Sequence, residues 1–115
     1  MIEEIQKTIC RYYKIDLLSL KSRSRRKEIS YPRSLAIYLC RQYTNASLIS
    51  IGDAFHRQHP VILHHYEKIK RRMKFDNVLK NEVDFFTQII LLESKDRNQE
   101  IIEELEIELG EIVGE

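Results

Sequence analysis

Apolar residues return every three or four positions along almost the whole chain, and very little interrupts them. Its 115 residues include three Gly and two Pro. So few breakers exclude a turn-rich sandwich and favour helices. Ile2, Ile5, Ile9 and Tyr12 or Tyr13 keep the helical period, so residues 2–13 read as an amphipathic helix. Ile15, Leu17, Leu18 and Leu20 fit one brief helix. Residues 21–30, KSRSRRKEIS, have no apolar period and read as a loop. Ser30 is suited to cap the next helix, with Pro32 inside its first turn, and Leu35, Ile37 (or Tyr38), Leu39 and Gln42–Tyr43 continue it. Ser47 caps a short helix in which Leu48, Ile51 and Phe55 point one way. After a turn at 56–59, a helix from Pro60 to about Lys74 has Leu63, Tyr66, Ile69 (or Ile62) and Met73 as its buried stripe. Asp76 or Asn77 caps a further helix whose period is held by Leu79, Val83, Phe86 and Ile90. Ile102, Leu105, Leu109 and Ile112 repeat the spacing near the end. No strand pattern and no internal repeat is present. The expected fold is all-α, a multi-helix bundle with an extra C-terminal helix.

At this length the chain is one domain's worth, long enough to bury a core without disulfides or metal staples. No apolar run approaches the roughly 18 residues of a membrane span. The opening MIEEIQK has no signal-peptide layout. Cys10 and Cys40 form neither a disulfide framework nor a zinc motif, and both fall on apolar helix faces. A cytoplasmic chain with reduced thiols is expected.

The formal net charge of +1 conceals an asymmetry. Residues 1–92 hold 17 Lys and Arg against 9 Asp and Glu, whereas residues 93–115 hold 2 against 9. A basic body with an acidic end suits a polyanion-binding domain, 1–92, followed by an amphipathic appendage, 93–115. Ordinary solvated helix faces would carry similar charges.

The stretch 47–74 narrows the choice. A short helix, a tight turn and a longer helix with a basic C-terminal half have the layout of a helix-turn-helix. In that arrangement the second helix offers its first turn to base edges in the major groove and its positive end to phosphate. Arg57, Gln58, His59, Pro60 and Val61 occupy that turn. Arg and Gln can pair bidentately with guanine and adenine, and Val61 can touch a thymine methyl. Lys21, Arg23, Arg25, Arg26 and Lys27 form a basic segment of the kind that enters a narrow minor groove; a solubilising loop is the plainer reading. Arg33 and Arg41 extend the basic character, and Ser34 and Ser47 are further candidate contacts.

The runs IQKTICRYYKI, SRSRR, YPRSLAIYLCRQYTNASLISIGDAF and HPVILHHYEKI, in that order, resemble the C-terminal DNA-binding domain of the DnaA replication-initiator family. The resemblance covers roughly residues 2–92 and implies an all-α, TrpR-like helix-turn-helix fold that binds a nine-base-pair box in double-stranded DNA. By position it makes Arg25 the minor-groove residue and Pro32-Arg33 a phosphate-holding step, with Ser34 where the family usually has Gln. It makes Arg41 a backbone-facing cation, His59 the opening residue of the recognition helix and Arg57 the arginine of the preceding turn. Where the family reads Gly-Gly-Arg-Asp-His-Thr-Thr, this chain has His56-Arg57-Gln58-His59-Pro60-Val61-Ile62, one residue shorter before the His. The Asp and both Thr, base-reading positions in the family, are replaced. No Gly-x-x-x-x-Gly-Lys loop occurs, so no ATP-driven step is expected of this polypeptide.

Other features read more simply. His56, His59, His64 and His65 cluster without a carboxylate or cysteine at ligand spacing, so no metal is expected, and no cofactor or small-molecule substrate. No nucleophile or acid–base pair suggests an enzyme. Lys68, Lys70, Arg71, Arg72 and Lys74 suit either phosphate contact or a helix C-terminus. The acidic end either folds back, packs on itself or a protein partner, or competes with DNA for the basic face. The sequence thus points to a regulator of replication or transcription that binds specific duplex DNA. The alternative is a protein-interaction module that keeps the fold without specific binding.

Overall fold

The computed structural model describes residues 1–93, which form helices and no strands. Five helices are bounded as α1 Ile2–Tyr13, α2 Leu17–Lys21, α3 Lys27–Tyr43, α4 Leu48–Phe55 and α5 His59–Arg72. A sixth, α6, covers residues 77–93. The chain divides into two compact units, Met1–Val83 and a second beginning at Asp84, of which residues 84–93 are described. The acidic segment expected to pack or compete lies almost wholly outside the described residues.

In the first unit α3 is the centre, packed against α1, α2, α4 and α5. Leu35, Ala36, Ile37, Tyr38, Leu39 and Cys40 are all buried. Burial over six successive positions means that this stretch of α3 is covered on every side, where most helices bury one stripe. Ile5 and Ile9 of α1, Leu20 of α2, and Ile51 and Phe55 of α4 close around it. Two polar ties fix the periphery: Gln6 Nε2 donates to the Ala54 carbonyl at 2.9 Å, and the Tyr13 hydroxyl donates to the Glu82 carboxylate.

Short polar residues start three helices as their chemistry dictates. Asp16 accepts from the Ser19 N–H (3.2 Å), Ser47 from the Ser50 N–H (3.1 Å) and Asp76 from the Leu79 N–H (3.1 Å). Leu79, Val83, Phe86 and Ile90, which set the period of α6, are all buried.

Two sequence expectations are corrected. First, α3 begins at Lys27 and not near Ser30, so the basic loop is short and Pro32 stands inside the helix. No side chain caps this end; Arg26 is the cap residue, and its carbonyl accepts from Ile29 (2.9 Å) and Ser30 (2.7 Å). Glu28 lies in the first turn, where a carboxylate meets the positive end of the helix. Pro32 removes one internal bond, yet it is buried among the α3 residues that form the core. Second, α5 begins at His59, with Pro in its first two positions, and its buried residues are Ile62 and Ile69. Leu63, expected inside, is 41% exposed, and Tyr66 and Met73 are half-buried. Adjacent Ile62 and Leu63 fit the spacing almost equally well, and where α5 packs on α3 and α4 it is Ile62 that is buried.

Candidate nucleic-acid interface

The loop between α2 and α3 is built by its serines. Ser22 Oγ donates to the Ser19 carbonyl at 2.6 Å and accepts from the Ser24 N–H at 3.3 Å. Ser24 Oγ accepts from the Arg26 N–H at 3.3 Å. Hydroxyls that bind backbone two residues on hold a chain in a turn. The alternation in Ser22-Arg23-Ser24-Arg25 therefore ties the serines to backbone and leaves Arg23, Arg25, Arg26 and Lys27 exposed.

Arg33, expected to hold phosphate, is turned inward and only 4% exposed. Its Nε donates to the Leu20 carbonyl at 2.7 Å, Nη1 to the Ser24 carbonyl at 2.9 Å and Nη2 to the Ser19 carbonyl at 3.3 Å. The reason is helical phase: Arg33 lies one turn before Ala36 and Ile37, which are buried. Burial, then the nearby Arg57 charge, lowers its pKa from the ordinary value.

The turn between α4 and α5 is equally constrained. His56 ends α4 in the left-handed conformation, φ 55°, and the Arg57 N–H donates to the Gly52 carbonyl at 2.8 Å. A Cβ at Gly52 would overlap the Arg57 carbonyl oxygen, so glycine is what lets the turn close on α4. Arg57 was expected to face bases. Its guanidinium reaches the basic loop: Nη2 donates to the Ser22 carbonyl at 2.7 Å and Nη1 to the Lys21 carbonyl at 3.3 Å. Nη1 also donates to the Phe55 carbonyl at 3.0 Å. Burial, then the Arg23 charge, lowers the Arg57 pKa.

The next residues are presented outward. Gln58 caps α5 without a side-chain cap bond, and Gln58, His59, Pro60 and Val61 are exposed. Arg23 and Arg57 line one cleft with Gln58, Val61, His56, Gly52 and Asp53. Arg23, Arg25, Arg33 and Arg57 line a second with Ser24, Ser30 and His65. Arg25 and Lys27 line a third with Lys68 and Arg72 of α5. The basic loop, the turn and one face of α5 therefore form one continuous surface. Arg41 and Ser47 are exposed but line none of these three clefts; Ser47 also caps α4.

Sequence reasoning missed His65. Its Nδ1 lies 3.0 Å from Ser34 Oγ. Burial, followed by the positive charges of His64, Lys68, Arg57 and Arg33, pushes its pKa down to about 4. It is thus neutral at physiological pH and holds Ser34 by a neutral hydrogen bond. Nearby, Tyr66 stacks on Tyr38 at 5.3 Å and donates to Gln42 Oε1 at 3.0 Å.

A family model described as the bacterial dnaA protein helix-turn-helix matches residues 2–69, from α1 almost to the end of α5. The chain belongs to the bacterial DnaA helix-turn-helix family. The chromosomal replication initiator protein DnaA of Thermoanaerobacter pseudethanolicus is 41% identical over 83 residues, which is 72% of this chain and 19% of that protein. The DnaA of Caldanaerobacter subterraneus subsp. tengcongensis gives the same 41%, over the same shares. The chain therefore spans about 19% of the length of the DnaA proteins it matches. Among the described residues no helix is long and apolar enough to cross a membrane. Burial pushes the Cys40 thiol up to about 12 and raises that of Cys10, which keeps both protonated.

Proposed function

We propose that this chain binds double-stranded DNA with sequence preference, as a regulator acting in replication initiation or transcription. One observation carries the reading: Arg23 of the basic loop and Gln58 and Val61 of the helix entrance wall the same cleft. A loop and a helix end that share one face can meet adjacent grooves of one duplex. The related DnaA proteins are named chromosomal replication initiator proteins, and the chain shares their helix-turn-helix family, which supports DNA as the partner.

In this reading affinity comes from phosphate neutralisation by Arg23, Arg26, Lys27, Lys68 and Arg41, and it falls steeply with salt. Arg25 enters the minor groove, where negative potential is greatest over A·T-rich sequence. Gln58 pairs with adenine N6 and N7, His59 approaches a neighbouring base edge, and Val61 packs on a thymine methyl. Pro60 has no N–H to offer, but its fixed φ starts the helix that aims these side chains. Because Gln58, Pro60 and Val61 stand where the family has Asp and two Thr, the preferred site differs from the family's box.

Selection from a random duplex library, then titration of the winning sequence at two salt concentrations, tests the proposal. A recovered consensus and a steep negative salt slope are expected. Arg25→Ala should weaken binding most where A·T pairs flank the site. A sequence-blind pool and equal loss on every duplex would overturn sequence preference, and no binding at low salt would overturn DNA binding itself.

A further inference from the structure

We infer that Arg57 is a positioning residue, a bracket that locks the minor-groove loop to the helix-turn-helix so that the two readers act as one unit. The inference rests on the DNA-binding reading above but is carried by separate observations. Arg57 sits in the turn that aims α5, yet its guanidinium crosses 35 and 36 residues of sequence to the Ser22 and Lys21 carbonyls. Arg33 grips the same loop from the other side, through the Leu20 and Ser24 carbonyls. Residues 20–24 are thus held between two guanidiniums; exposed Arg23 lies within the held segment and exposed Arg25 directly follows it.

The chemistry suits a bracket and not a base reader. A planar fork with several donors can bridge carbonyls on two chain segments at once, which a single ammonium cannot do in the same geometry. Arg57 Nη1 holds the Phe55 carbonyl of its own turn while Nη2 holds Ser22 of the loop, so one side chain joins both segments. An exposed loop carrying three arginines would otherwise sample many conformations, each to be given up on binding. Holding it beforehand reduces that loss and sets the distance between the two groove contacts. The glycine at 52 belongs to the same device: it lets the Arg57 backbone sit close enough to α4 for the side chain to reach the loop.

Two measurements decide the matter, with wild type, Arg57→Ala, Arg57→Lys, Arg25→Ala and the double variant as full chains. The first needs no DNA. Trypsin cleavage after Arg23, Arg25 and Arg26 should be about tenfold faster in Arg57→Ala, because the bonds that close the segment are charge-assisted. Arg57→Lys should fall between the two, and thermal melts will show whether any variant has unfolded globally. The second is a double-mutant cycle on the selected duplex. Arg25→Ala should cost about tenfold in affinity in the wild-type background and less than about threefold when Arg57 is already Ala. Unchanged cleavage together with independent, multiplying losses would overturn the bracket and return Arg57 to direct contact. Full recovery of affinity by Arg57→Lys would do the same, since a simple charge would then suffice. A wild-type chain that binds no duplex would sink the DNA reading, while the cleavage arm would still report whether the loop is held.

Discussion

Two stretches of this molecule are almost equally rich in cations, and they are built in opposite ways. Between α2 and α3, Arg23, Arg25, Arg26 and Lys27 rise from a segment whose carbonyls are held by Arg33 and Arg57 and whose N–H groups are held by serines. At the end of α5, Lys68, Lys70, Arg71, Arg72 and Lys74 project from plain helix and turn. There Arg72 pairs with Asp76 at 3.4 Å, both side chains well exposed, and Lys70 lies 5.8 Å from the Tyr66 ring centroid. Exposed pairs of that kind contribute little to stability. Charge density is alike in the two places, but in the loop it is side chains, not a regular helical ladder, that hold the backbone in place.

Substitutions should separate the two regions. The largest effect is expected for Arg33→Ala, which removes the donor to the Leu20 and Ser24 carbonyls and empties a buried side-chain position in α3. A loss of about 3 kcal/mol in denaturant unfolding is expected. Lys70→Ala should lose less than about 0.5 kcal/mol; comparable losses would erase the contrast. Gly52→Ala comes next, at about 2 kcal/mol, because the turn must back away from the new methyl group. A neutral result there would mean that the turn relaxes freely.

Arg25→Ala should leave the melting temperature unchanged and weaken the selected duplex about tenfold. Lys68→Ala should weaken every duplex alike and lower the salt slope by about 1, as a phosphate contact does. The same selectivity pattern for both would contradict the division of labour.

The smallest effect concerns His65. Its folded pKa, about 4, is below the ordinary histidine value, so the native state binds fewer protons than the unfolded chain as pH falls. Its contribution is therefore full above about pH 6.5 and is lost on acidification toward pH 4. Because the side chain is partly solvated, we expect on the order of 1 kcal/mol across that window. His65→Gln, compared with wild type by urea titration at several pH values, should flatten the curve by that amount. A parallel pair of curves would remove His65 from the account.

Where side chains repeat with helical period, the fold was legible. The caps at Ser47 and Asp76 and the buried faces of α1, α4 and α6 follow from residue type and spacing. The start of α3 was not, because Arg26 caps it without a side-chain bond and its first turn is polar. The roles of Arg33 and Arg57 were hidden for a different reason. Their partners are backbone carbonyls, which every residue possesses, so no residue type announces them. Helical phase gave a hint for Arg33, one turn ahead of Ala36 and Ile37, whereas nothing in the chain relates Arg57 to Ser22.

The outward row at the start of α5 has a consequence for how such a protein changes over generations. The side chains of Gln58, His59 and Val61 are exposed and Gln58 makes no cap bond, while Gly52, Arg33 and Arg57 hold the structure beneath them. If the first set reads the duplex as proposed, new target preferences are open to trial there with little cost to the scaffold, so a lineage can acquire a different address and keep its architecture.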